Sequence, residues 1–263
     1  MKNSKLYSYT TQIICLFALC IFMFPLVLMV QKSLSVGGLN NYKIVLEEFD
    51  ILPNLITSLI VESGTLLIVM AVTSMAAYAF SKLEFPNKKT LYYVLLVGMM
   101  IPTSVLIFPL YQIVRGLHLN NTPFSLVFPY ATLFACFNLM VLKNYYDGLP
   151  NELLEAARID GANKMKTFVS IMLPIAKPGL AFVLMQTFLS AWNELQMAFI
   201  FINDSDKQPL SVVPLRFIQV SSTGYPSYVT YAALVICLSP IVIFYIFASK
   251  YLVGGLTAGA VKG

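Results

Sequence analysis

Six long apolar stretches, residues 11–31, 56–80, 91–114, 124–142, 179–202 and 228–249, leave this 263-residue chain little chance of folding in water. A helix that crosses a bilayer needs about 20 predominantly apolar residues. The stretches therefore predict six transmembrane helices in one all-α integral membrane domain over residues 1–263, with no interval long and polar enough for a separate soluble domain. The composition agrees: 58% of residues are hydrophobic and 11% charged, against about 45–50% and 25% in soluble domains. Lys2 and Lys5 ahead of the apolar run Ile13–Val30 imitate a secretory signal. That run is too long for a signal core and lacks a small-x-small cleavage site, so it counts as the first span.

The net charge of +5 does not point to nucleic acid, because no basic run carries interleaved aromatics and the basic residues flank the apolar stretches instead. With the N-terminus inside, 12 of the 17 Lys and Arg fall on the cytoplasmic side, leaving Lys32, Lys43, Arg115, Lys207 and Arg216 outside. That bias follows the positive-inside rule and places both termini in the cytoplasm. The four cysteines, Cys15, Cys20, Cys136 and Cys237, sit within apolar stretches with no CxxC pair, which fits packing rather than a metal site or disulfide framework. Pro25, Pro102, Pro109, Pro129 and Pro240 interrupt the spans; Pro102 and Pro109 read equally well as kinks or as helix ends.

The longest cytoplasmic segment, residues 143–178, carries helix punctuation. Asn151 is a candidate N-cap, Glu152 and Glu155 place negative charge in a first turn, and Gly161 can close the helix in the left-handed conformation, which predicts a helix over Glu152–Asp160. A second helix is expected from Asn163, with Met165, Phe168, Val169 and Met172 on one apolar stripe, ending at Pro174 and Pro178. Small Ala156 and Ala157 beside Leu153 and Leu154 suit insertion into a groove on a partner protein. An amphipathic helix lying on the membrane fits the same pattern.

The string Glu155-Ala156-Ala157, Asp160-Gly161-Ala162, then Phe168, Ile171, Leu173-Pro174 and Pro178, resembles the EAA loop of permease subunits in binding-protein-dependent ABC importers. Five further segments resemble the carbohydrate branch and its maltose-permease-G-like subunits: residues 41–43, 76–81, 109–111, 192–194 and 255–263. Leu195 and Ala198 stand where that family commonly has an aromatic residue and a proline. The resemblance implies a type I ABC importer permease fold with a cytoplasmic EAA coupling helix over residues 151–162. Glu155, Ala156, Ala157, Asp160 and Gly161 would then meet the ATPase. It also implies a second, non-identical permease, two ATP-binding cassette subunits and an extracytoplasmic solute-binding protein as partners, in the bacterial plasma membrane.

The chain has no GxxxxGKS or GxxxxGKT phosphate loop, so ATP and Mg belong on the partner ATPases and no cofactor is expected on this chain. Catalysis is not expected either, since His118 is alone and no HExxH occurs. Ionisable residues inside spans mark function by default, and two qualify. Glu62 is expected near the outer end of the second span, within reach of water. Glu194 lies deeper, with Trp192, Asn193 and Gln196, an aromatic face beside hydrogen-bonding groups that would suit a sugar in a substrate pathway. Packing against a partner permease is the competing role for these polar residues. The expected function is import of a sugar or oligosaccharide. The alternatives are an ABC permease for a non-sugar solute and an ion-driven secondary transporter, the latter disfavoured by the lack of inverted repeats.

Overall fold

The computed structural model describes residues 2–48, 51–221 and 225–260, and the side chains of 10–47, 51–218 and 225–249. Helices α1 (Lys2–Ser33), α2 (Asn40–Glu48), α3 (Ile51–Lys82), α4 (Lys88–Val97), α5 (Thr103–Gly116) and α6 (Phe124–Asp147) come first. They are followed by α7 (Glu152–Ile159), α8 (Lys164–Thr167), a π-turn (Phe168–Met172), α9 (Leu173–Ile175), α10 (Lys177–Trp192), α11 (Gln196–Phe201), α12 (Val213–Ser221) and α13 (Ser227–Ala260). No strand occurs among the described residues. Among the described residues four helices are long and apolar enough to cross a membrane: Thr10–Ser33, Ile51–Lys82, Phe124–Asp147 and Ser227–Ser249. Two bent pairs raise the number to six if each counts as one span.

The first bent pair and a break after α10 divide two of the expected apolar stretches. The stretch 91–114 is not one rod: α4 with its terminal turn and α5 meet at 101° around Ile101 and Pro102. Pro102 lacks an N–H and holds the preceding residue out of the helical region, and Ile101 is extended with ψ 121°. Pro109, by contrast, lies inside α5. The stretch 179–202 is also divided, since α10 ends at Trp192 and α11 begins at Gln196. At its other end α10 meets the preceding loop helices at 77°.

Two compact units divide the chain, one formed by residues 1–51 and 213–240, the other by 52–212 and 241–263. In the first unit, the turn after α1 is tied by Asn41, whose Nδ2 donates to the carbonyls of Ser33 (2.8 Å) and Ser35 (2.9 Å). Apolar residues of α1 such as Ile14, Phe17 and Phe22 are exposed, which suits a helix sheathed by lipid or partner helices.

The second unit has two apolar clusters. Val61, Leu126, Tyr130, Met197 and Phe201 centre one, and Val69, Tyr78, Leu142, Tyr146, Phe168 and Met172 the other. Helices α3, α6 and α10 contribute to both clusters, with α3 and α6 as the spine on which α10 packs. Close approach is set by glycine at two positions. A Cβ on Gly179 of α10 would lie 2.9 Å from the Tyr145 ring and 3.0 Å from Leu142 Cδ1, both on α6, and one on Gly64 would meet Val127 at 3.0 Å. Between α6 and α10, Asn138 Nδ2 donates to Thr187 Oγ1 at 3.1 Å, a polar bond within the apolar bundle.

Candidate functional site

The loop helix α7 is built as the sequence suggests at its end and differently at its start. Asn151 does not cap through its side chain; its backbone is already helical (φ −76°, ψ −18°). Its Oδ1 instead accepts from Lys82 Nζ at 2.8 Å, because the long lysine at the end of α3 reaches across and takes that oxygen. At the other end, Ala162 N–H donates to Ala157 O (2.9 Å) and Gly161 N–H to Arg158 O (3.0 Å), a Schellman closure with Gly161 at φ +74°. Asn163 then caps α8, its Oδ1 accepting from Lys166 N–H at 2.8 Å.

The two faces of α7 separate cleanly. Ala157 is buried and Leu154 packs on the second apolar cluster. Glu152, Glu155, Ala156 and Ile159, at i, i+3, i+4 and i+7, form the exposed face, and Asp160 and Gly161 are exposed at its end. Ile159 is 86% exposed. Sequence reasoning passed over this residue, although its seven-residue spacing from Glu152 was the available signal. The expected stripe of the following helix is split: Phe168 and Met172 are buried, while Met165 and Val169 are exposed. The π-turn over Phe168–Met172 widens the helix and shifts the register of the stripe.

The second predicted cluster lies at the break between α10 and α11. Trp192 is buried, its ring stacked on Phe188 with centroids 5.4 Å apart. Glu194 serves as a cap. Its carboxylate accepts from Met197 N–H (2.9 Å) and Ala198 N–H (3.1 Å) at the start of α11, and from the Tyr130 hydroxyl of α6 (2.5 Å). Ser211 Oγ donates to the Glu194 carbonyl at 3.0 Å. Asn193 and Gln196 flank this arrangement with exposed side chains, Asn193 Nδ2 donating to Leu189 O at 2.7 Å. The four residues are thus neighbours on one break, two turned inward and two outward.

Glu62 is only 5% exposed, contrary to the expectation of partial hydration, because side chains of α6, α10 and the segment after α11 close over it. It lines a cavity of about 10 Å³ with Ser58, Tyr130, Trp192, Pro209 and Ser211, room for about one water. Its Oε2 has no hydrogen-bond partner among the described residues.

The segment after α11 is fixed by three residues, Asn54, Ser58 and Asn121. Asn54 Nδ2 donates to Ser205 O (2.8 Å) and Gln208 O (2.6 Å), and Ser58 Oγ accepts from Leu210 N–H (2.7 Å). Asn121 Oδ1 accepts from the Asn203 and Asp204 amides. Hydrogen bonds from Lys207 and Asn121 hold the Asp204 carboxyl below the usual carboxylate range.

Residues 70–257 match a family model described as binding-protein-dependent transport system inner membrane component. The chain belongs to this permease family. The permease is 35% identical over 206 residues to the trehalose/maltose transport system permease protein MalG of Thermococcus litoralis, covering 78% of this chain and 74% of that one. It is 34% identical over 206 residues to the probable ABC transporter permease protein YurM of Bacillus subtilis, covering 78% and 68%. It is 31% identical over 209 residues to the diacetylchitobiose uptake system permease protein NgcG of Streptomyces coelicolor, covering 79% and 68%. Among solved structures, a chain of a bacterial ABC transporter involved in the import of the acidic polysaccharide alginate superposes with a TM-score of 0.80 at 20% identity, covering 95% of the permease and 98% of that chain, and so shares its fold. The permease is a multi-pass inner-membrane subunit of an ABC importer, non-catalytic and without a cofactor of its own. Its transport system includes a separate ATPase and a binding protein.

Proposed function

We propose that the permease carries a sugar or oligosaccharide inward as half of the translocation pathway, paired with a second, non-identical permease above two ATPase copies. The named uptake systems of its relatives support the solute class: trehalose/maltose, diacetylchitobiose, arabinooligosaccharides and alpha-glucosides. Residues 1–263 act as one permease domain with both termini cytoplasmic. The segment 151–162 is its coupling helix, with Glu155, Ala156, Asp160 and Gly161 facing the ATPase and Ala157, 1% exposed, seating the helix on the rest of the chain. The observation that carries the coupling role is the exposed face of α7, where Glu155 and Ala156 lie beside Ile159, 86% exposed among the described residues. Closure of the ATPases on ATP would push this helix, and the cavity would turn from inward- to outward-facing. Trp192, Asn193, Glu194 and Gln196 line the substrate pathway in this reading, with Asn193 and Gln196 offering hydrogen bonds to solute hydroxyls.

The test is purification of the tagged permease from its native membrane, with and without Gly161→Pro. Recovery of an ATPase with wild type and its loss from the variant support coupling; no ATPase with the intact chain refutes it. Alanine at Asn193 and Gln196 should change sugar-stimulated ATPase activity at unchanged complex yield. An unchanged transport rate and solute profile would remove both residues from the pathway.

A further inference from the structure

Where α3 ends, two cavities share Tyr78, Leu83 and Lys164 as a common wall. One, of about 250 Å³, is lined by Lys82, Arg158 and Lys164 together with Asn163 and Thr167. The other, of about 160 Å³, is a nearly apolar cleft against α3, formed by Met75, Ala79, Met165 and Phe168. No Asp or Glu lines either one. Among the described residues Lys82 Nζ donates to neutral oxygens, Leu149 O at 2.6 Å and Asn151 Oδ1 at 2.8 Å, and to no carboxylate in contact. Arg158 and Lys164 are exposed and form no salt bridge among the described residues. Two acids lie near Lys82: Asp147 is already engaged by Ser81 and Lys143, and Glu152 acts on Lys82 through space without lining either cavity. Tyr78 holds the two halves together by donating to Lys164 O at 3.3 Å.

A triad of cations opening directly onto an apolar cleft is complementary to a molecule with an anionic head and a hydrocarbon tail. The position fits as well, because Lys82 terminates a helix long and apolar enough to cross a membrane, and a lysine at such an end reaches toward lipid headgroups. We propose that this composite pocket binds one anionic phospholipid, its phosphate against Arg158 and Lys164 and an acyl chain along Met75, Ala79 and Phe168. Arg158 supplies a planar fork that matches phosphate oxygens in pairs. Lipid bound there touches α7 through Arg158 and the cap of α8 through Asn163, so its occupancy bears on the coupling segment. The inference rests on the proposed function only in assigning the pocket to the cytoplasmic leaflet.

The experiment uses the intact transporter, with its partner subunits, exposed to vesicles of phosphatidylglycerol mixed with phosphatidylcholine and then analysed by native mass spectrometry. Arg158→Gln with Lys164→Gln should lower phosphatidylglycerol retention by roughly tenfold or more and leave phosphatidylcholine unchanged. The charge-conserving pair Arg158→Lys and Lys164→Arg should retain it, which controls for folding. Ala79→Phe, and Met165→Gln at an exposed side chain, should each weaken retention without altering charge. Retention unaffected by the Gln pair, or lost equally for both lipids, overturns the proposal. So does displacement by inorganic phosphate with both cleft variants neutral, which would mean a free-anion site. Loss of the ATPase subunit from the Gln pair at unchanged lipid count would instead mark a protein-facing surface. Lipid retention is read without reference to the transported solute, so failure here and failure of the sugar assignment are separable.

Discussion

Replacing Glu194 and Tyr130 singly and together tests the break between α10 and α11 most directly. Tyr130→Phe removes one hydrogen bond of 2.5 Å to the carboxylate and leaves Glu194 its two amide donors from Met197 and Ala198. Charge-assisted bonds contribute about 1.5–3 kcal/mol in soluble proteins, but side-chain bonds inside membranes average about 0.6 and reach about 1.7. The expected cost of Tyr130→Phe is therefore about 1–2 kcal/mol. Glu194→Ala removes all three bonds, so it loses a helix cap worth about 1 kcal/mol and strands the hydroxyl of Tyr130, a residue 1% exposed. Its cost should be about 3–4 kcal/mol. In the double variant the stranded hydroxyl is gone, so the total should fall short of the sum of the singles by about 1–2 kcal/mol. An SDS titration of the purified complex in mixed micelles measures all three. Strict additivity would show that the phenol and carboxylate do not act as a pair, and the break would need another explanation.

Gly179→Val should cost about 1–3 kcal/mol by forcing α10 off α6, since even a Cβ there lies 2.9 Å from the Tyr145 ring; a wild-type unfolding midpoint would refute the close-approach reading. Gly161→Ala should cost about 1 kcal/mol through its φ of +74° alone, because no atom lies within 4 Å of the added Cβ. Gly161→Asn should recover part of that loss, and equal destabilisation by both would mean that something other than backbone conformation is at work. The Asp204 carboxyl is held low by Lys207 first and Asn121 second. A folded value below the unfolded one, about 3.9, means the contact is fully present above that pH and is lost as pH falls further. Amide exchange over residues 202–208 should therefore quicken under acid in wild type and be flat with pH in Asp204→Asn, once intrinsic exchange is normalised; parallel profiles would exclude the carboxylate as the cause.

Most of the fold is legible because hydrocarbon imposes a length and an apolarity that few residues can disguise. The helices Ile51–Lys82, Phe124–Asp147 and Ser227–Ala260 contain the apolar stretches 56–80, 124–142 and 228–249 whole. The breaks are harder to read. Pro102 announces a kink but not one of 101°, which depends on how α4 and α5 pack. The end of α10 at Trp192 has no proline or glycine to announce it. Asn193 and Glu194 were visible as polar residues in an apolar run, yet the capping role of Glu194 requires Tyr130, 64 positions away in sequence. Asn151 misleads for a similar reason, since its side-chain oxygen is claimed by Lys82, 69 positions earlier. Local signals that need no distant partner survive intact: Gly161 closes α7, and Asn163 caps the next turn through an amide three residues on.

The same contrast bears on how force would pass through the loop. Between α7 and α10 every junction is closed by short-range bonds: the Schellman pair at Ala162 and Gly161, the Asn163 cap, and the Ala176 amide on Met172 O at 3.0 Å. Phe168 and Met172 then fasten the middle of the segment to Tyr78 and Tyr146, the Tyr78 and Phe168 rings lying 5.2 Å apart. A segment tied both along its length and to the α3–α6 spine cannot bend freely at one joint; displacement of α7 is shared with α10 or resisted by the spine. At the far end of α10, the cap at Glu194 is completed by Tyr130 of that same spine. Relative motion of α10 and α6 must therefore either carry α11 along or break a charge-assisted bond. The Glu194–Tyr130 contact thus ties α11 to α6 as well as closing the break after α10.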